Sequence, residues 1–152
     1  MIRSARESDA EALVGLINRA FLVERFFLEQ DRIDLAGVEQ FLKQGAFLIS
    51  EEDDAAEGCV YVEVRAERGY FGLLSVAPER QGAGLGKRLV GAAEDYCREA
   101  GCSFMDLQIV NLREELPGFY RKLGYAETGT APFPSGVDTK LPCHFVRMSK
   151  LL

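Results

Sequence analysis

The chain has 152 residues, 47% apolar and 28% charged, with a formal net charge of −6. That length builds one domain, residues 1–152, with a proper core, and no apolar run approaches a membrane span. The acidic balance argues against nucleic acid as a main partner. Met1 to Arg6 lacks the apolar stretch of a signal peptide, so the cytoplasm is the expected compartment. Cys59, Cys97, Cys102 and Cys143 show no Cys-x-x-Cys spacing and the chain has one histidine, so no metal site is expected and the thiols are read as reduced.

Ile2 to Arg6 reads as a first strand. Ser8 and Glu11 form a capping-box pattern ahead of a helix showing Leu13, Leu16, Ile17, Ala20 and Phe21. An aromatic, charged connector follows at Val23–Phe27. A second helix begins near Asp34, shows Leu35, Val38, Phe41 and Leu42, and ends at Gly45. Strands are expected over 46–51, 58–65 and 70–76, joined as an antiparallel meander. A helix follows with Leu85, Leu89, Ala93, Tyr96, Cys97 and Ala100 on its face, stopped by Gly101. Residues 104–110 form a strand parallel to 70–76 through a right-handed crossover. Asn111 opens a short helix over about 112–122. Residues 125–130 and 143–150 are the last two strands, with a proline-rich loop over 131–142. The fold class is α/β, with a mixed, mostly antiparallel sheet and helices on both faces.

The stretch from Tyr70 to Gly101 organises the rest. An apolar strand turns at Pro78, a glycine-rich loop follows, and a helix starts at once. Glycines leave no side chains between backbone N–H groups and a ligand, and the first N–H groups of a helix favour anions. This is a pyrophosphate cradle by its physics. A P-loop needs a glycine where Gln81 stands and a hydroxyl where Arg88 stands. The dinucleotide fingerprint needs a third glycine where Lys87 stands. Gln81, Gly84 and Gly86 instead meet the pattern Gln/Arg-x-x-Gly-x-Gly/Ala.

That loop resembles the coenzyme A pyrophosphate loop of the GNAT superfamily of N-acetyltransferases. The element order resembles the same fold from end to end. Asn111 followed by Phe119-Tyr120-Arg121-Lys122-Leu123-Gly124-Tyr125 is similar to a second family segment. The resemblance implies acetyl-CoA as cosubstrate, with no metal, and an amine on a small molecule or peptide as acceptor, in a monomer or homodimer. It implies a V-shaped splay between the two parallel strands. Leu74, Ser75 and Val76 would pair with the pantetheine arm, and Gln81, Gly82, Ala83, Gly84, Leu85, Gly86 and Lys87 would hold the pyrophosphate. Asn111 would touch the arm, across a gap to Tyr120 longer than the common family form. Tyr120 would protonate the leaving thiolate, and Glu24, Arg25, Phe26 and Phe27 would line the acceptor pocket.

Each role has a plainer counterpart. Tyr120 also reads as a core residue beside Phe119, Asn111 as a helix cap, and Glu24 to Phe27 as loop packing. The strand before the loop carries no carboxylate, where many members place a general base. His144, at the start of the last strand, is the expected base; Glu24 is its rival, as base or as ammonium ligand, and water is the third option. The competing function is a catalytically silent acyl-CoA-binding sensor.

Overall fold

Alternating strands and helices with apolar stripes fold as the pattern dictates, and the computed structural model describes residues 1–152. The strands are β1 (Ile2–Ser4), β2 (Ala46–Glu52), β3 (Ala55–Arg65), β4 (Arg68–Val76), β5 (Phe104–Val110), β6 (Ala126–Pro132) and β7 (His144–Leu151). The helices are α1 (Ala10–Ala20), α2 (Leu35–Gln44), α3 (Leu85–Glu99) and α4 (Leu116–Lys122). One seven-stranded sheet runs in the order β1-β2-β3-β4-β5-β7-β6, and only β4 and β5 are parallel neighbours. No helix is long and apolar enough to cross a membrane.

Helices cover both faces of the sheet, which is why Cys59, Val60, Tyr61 and Val62 are all buried on successive positions of β3. On one face, Leu85, Leu89, Ala93 and Cys97 of α3 pack on Val60, Val62, Phe71 and Met105. On the other, Leu13, Leu16 and Ile17 of α1 and Val38 of α2 pack on Phe47, Ile49, Cys59 and Tyr61.

Three local expectations are corrected. The first helix is not capped by Ser8 and Glu11. A 3-10 turn over Glu7–Asp9 precedes α1, and Asp9 accepts from the Arg6 N–H at 2.7 Å. Arg3 fixes that carboxylate with two bonds of 2.9 and 2.8 Å, tying the turn to β1. The buried stripe of α3 takes in Val90 and Glu94, while Tyr96 is 37% exposed and Ala100 lies outside the helix. Glu94 earns that place by accepting from Tyr125 Oη at 2.8 Å and Lys150 Nζ at 3.0 Å. Finally, α4 starts at Leu116, not at 112, because Pro117 is tolerated only in a first turn.

The central pair, β4 and β5, sets up the site. Their ladder has only three pairs: Arg68 with Phe104, Gly69 with Met105, and Tyr70 with Asp106. Arg68 clamps this end by donating to Asp106 at 2.7 and 2.6 Å, a two-bond guanidinium–carboxylate pair. Beyond it the strands part. β5 continues beside β7 as far as Val110, and β4 continues beside β3 as far as Val76. The β4 edge facing the gap is therefore unpaired from Phe71 onward. A bulge bends β4 there: Cys59 pairs with Ser75 and Tyr61 with Gly72, so Leu73 and Leu74 oppose one residue. Leu73 takes φ +53°, a conformation that costs a non-glycine residue about 1–3 kcal/mol.

Candidate active site

The gap between β4 and β5 opens into a cavity of about 510 Å³. Its floor is the parted pair, Gly72–Leu74 on one side and Leu107–Val110 on the other. The glycine loop and the start of α3 close one end, and residues from the connector, β3, β4 and the β5–α4 turn close the other.

The loop end is built from backbone. Gly84 is the N-cap of α3 at φ +80°, and Gly82 stands at φ +88°. L-residues rarely adopt these angles, so glycine is required for the chain to turn here and present the first N–H groups of α3 to the cavity. Arg80 and Lys87 add positive charge to that wall. Gln81 folds back and donates from Nε2 to the Val76 carbonyl at 3.2 Å, fastening the loop to the end of β4. Ala83 and Ser75 do not line the cavity. The Ala83 carbonyl accepts from Arg88 Nη1 at 3.4 Å, and the Ser75 hydroxyl donates to the Leu73 carbonyl at 2.8 Å.

Tyr120 reaches the cavity from α4. Its ring packs against Phe71, Phe119 and Tyr125, with centroids 5.9, 5.0 and 6.1 Å away. The side chain is 5% exposed, and its hydroxyl bonds to nothing in the chain. No fully enclosed side-chain oxygen or nitrogen lacks a partner in this protein, so the Tyr120 hydroxyl opens onto the cavity. Burial pushes its pKa far above the ordinary phenol, and Arg113 opposes only part of that shift. The group is therefore protonated at neutral pH, a donor and not a base.

The other end is built from side chains. Glu24 is 4% exposed and accepts from Arg113 Nη1 at 2.9 Å through Oε2. Burial raises the Glu24 pKa; the Arg113 bond works against that rise. Arg32 shares this wall. Tyr70 leans along β4 over Gly72, where a Cβ would come within 2.9 Å of its hydroxyl oxygen, so Gly72 makes room for the ring. Of Glu24, Arg25, Phe26 and Phe27, Glu24 alone lines this cavity. Phe27 is fully buried in a small cluster with Leu28 and Val110, Phe26 is half exposed, and Arg25 pairs with Asp31.

Asn111 and His144 lie outside the cavity lining and hold each other. The Asn111 side chain accepts from the His144 N–H at 2.9 Å, and the Asn111 N–H donates to the His144 carbonyl at 2.9 Å. Asn111 does not cap α4, whose N-cap is Glu115. Sequence reasoning missed Arg32, Tyr70 and Arg113. Nothing in their local sequence marks them; the fold brings them together from three separate elements.

An extended ligand with an anionic end, entering edge-on between two parting parallel strands, is what this cavity is shaped to hold. Residues 10–125 match the model of the Acetyltransferase (GNAT) family, and the chain belongs to that family. The chain is 32% identical over 152 residues to the uncharacterized N-acetyltransferase YhfO of Bacillus subtilis, covering 91% of this chain and 99% of that one. It is 29% identical to streptothricin acetyltransferase of Streptomyces lavendulae, over 84% of this chain and 82% of the relative. Among solved structures, yncA of Salmonella typhimurium with its cofactor acetyl-CoA superposes with a TM-score of 0.76 at 26% identity, covering all of this chain and 93% of that one.

The protein is thus an N-acetyltransferase that moves an acetyl group from acetyl-CoA to an amine. Its own residues fit that cosubstrate. A Cβ at Gly82 would meet nothing within 4 Å, so the space over the loop is free. The edge of β4 beyond Tyr70 is not paired with β5, and Lys87 and Arg80, the latter 3.7 Å from Glu57, line the loop end of the cavity.

Proposed function

We propose that residues 1–152 act as one catalytic domain that acetylates the amine of a small molecule, with Tyr120 as proton donor and Glu24 as proton acceptor. The observation that carries this is the Tyr120 hydroxyl, protonated and without a partner, opening onto the gap between β4 and β5. Acetyl-CoA supplies the activated acyl group. Backbone groups of Leu74 to Val76 orient its arm, and the loop from Gln81 to Lys87, with Arg80, neutralises its phosphates.

As the amine nitrogen bonds to the acetyl carbon, the bond to sulfur breaks. The amine's proton goes to Glu24, directly or through a water, and Tyr120 Oη returns a proton to the departing thiolate. A buried carboxylate is a stronger base than an exposed one, and its bond to Arg113 holds it in place. An exposed His144 outside the cavity lining supports this role less well than Glu24 does. A proton acceptor as buried as Glu24, 4% exposed, favours a small acceptor, and the net charge of −6 favours neither nucleic acid nor an anionic membrane surface as partner. Thiol release from acetyl-CoA across a panel of small amines and N-terminal peptides tests the reading. Turnover confined to peptides would overturn the small-molecule acceptor.

A further inference from the structure

The acceptor end holds a positive charge that nothing in the chain satisfies. Arg32 lines the cavity, and its guanidinium makes no hydrogen bond or ion pair within the protein. The residue is exposed, and its guanidinium sits over the Phe21 ring, 5.5 Å from the centroid. Glu24 makes no ion pair with it, and Glu24 Oε2 accepts from Arg113. The second oxygen, Oε1, accepts no bond from the chain, and since no enclosed oxygen is left without a partner it opens onto the cavity. Arg113 is held between Glu24 and Glu115, at 2.9 and 3.1 Å, which leaves Arg32 as the cation of this wall without an ion-pair partner.

A second cavity of about 110 Å³ adjoins the first. Glu24, Arg32, Val110 and Phe145 line both, so the free guanidinium and the free carboxylate oxygen stand at the junction. Beyond it Leu28, Phe133 and Val137 make an apolar side of the recess, and Gln30 and Asp31 line its other side.

We propose that the acceptor is an amino acid with an apolar side chain, its carboxylate bound by Arg32, its amine by Glu24 Oε1 and its side chain by the recess. This rests on the reading above of an amine acetylated in the cavity. A planar guanidinium with all its donors free matches a carboxylate in two parallel bonds. A free carboxylate oxygen matches the ammonium group and takes one proton to free the amine for attack; the second, lost as the amide forms, replaces the proton that Tyr120 gives to the thiolate.

The test uses N-acetyl-leucine and N-acetyl-leucinamide, which differ at the carboxylate and share an uncharged nitrogen. Their binding to the protein–coenzyme A complex is measured by calorimetry. The acid is expected to bind about 10- to 100-fold more tightly. In Arg32→Gln, shown to be folded by circular dichroism, the acid-to-amide ratio is expected to fall to about one. N-acetylglycine is expected to bind more weakly than N-acetyl-leucine, since it leaves the recess empty. Equal binding of acid and amide, no binding of either, or an unchanged ratio in Arg32→Gln overturns the carboxylate subsite. Equal binding of the glycine and leucine compounds overturns the recess. Thiol release with leucine and with isoamylamine separates this from the function itself. Turnover of isoamylamine beside equal binding of the pair sinks the subsite and leaves acetyl transfer standing. Absence of turnover with every amine sinks the small-molecule transfer reading, while the binding ratio still reports on Arg32.

Discussion

The two ends of the cavity are made of different material. The donor end is backbone: one stretch from Val76 to Lys87, bent by Gly82 and Gly84, presents the first N–H groups of α3. The acceptor end is side chain: Glu24, Arg32, Tyr70 and Arg113 come from the connector, β4 and the turn after β5. A backbone site is fixed by local dihedral angles and tolerates change outside the loop. A side-chain site is fixed by how separate elements pack, and any of them can be altered without disturbing the loop.

The sharpest way to break this division is at Tyr120, which belongs to neither end and is the proton donor of the proposed mechanism. Tyr120→Phe keeps the packing on Phe71 and Tyr125 and removes only the hydroxyl. Turnover is expected to fall by ~10²–10⁴-fold, with acetyl-CoA affinity by calorimetry within about twofold. Full turnover in the variant would return Tyr120 to the core.

The next largest effect is expected at Glu24. Its carboxylate must be ionised to accept a proton, and burial raises its pKa from the ordinary 4.5. The acidic limb of kcat/KM should therefore lie above pH 4.5, with activity lost as the pH falls through it. Glu24→Gln is expected to lose that limb and about 10²-fold in rate near neutral pH, without weakening acetyl-CoA binding. A limb that persists in the variant would assign the base elsewhere, and His144→Gln then becomes the informative comparison.

Gly84→Val tests the donor end alone. Valine would have to hold φ +80°, which strains the cap of α3 and puts methyl groups where the phosphates approach. Acetyl-CoA binding is expected to weaken about tenfold or more, in a protein that still melts cooperatively. Unchanged affinity would show that the loop does not hold the phosphates.

The smallest effect is expected at Asn111. Asn111→Ala removes the bond to the His144 N–H and should cost about 1 kcal/mol of stability, read from denaturant unfolding. Acetyl-CoA affinity should stay within about twofold, because Asn111 lies outside the cavity lining. A tenfold loss of affinity would restore it as a contact of the pantetheine arm.

The same contrast explains what the sequence made legible. The order of strands and helices followed from hydrophobic spacing, and the parallel placement of β5 followed from the crossover rule. The donor loop was legible because its glycines are close together in the chain and each answers a backbone need. The acceptor wall was not. Arg32 sits between two helices in an ordinary charged connector, and Tyr70 reads as one more aromatic on a strand. Arg113 meets Glu24 across 89 positions of sequence. Such pairs arise from packing, and no periodicity marks them. The late start of α4 was legible in part, since Pro117 limits how early the helix can run. Asn111 was assigned to that helix because its bond to His144 is a contact between distant strands.

The unpaired edge of β4 makes the native sheet responsive to its ligand. Amides on that edge beyond Tyr70 have no strand to pair with, so hydrogen exchange with solvent should be rapid there and slow across the β3 side of the same strand. Acetyl-CoA lying along the edge would act as an additional strand and slow those amides selectively. Because it binds the folded chain, the melting temperature should climb with its concentration. The metabolic supply of acetyl-CoA would then set how long the folded enzyme lasts as well as how fast it turns over.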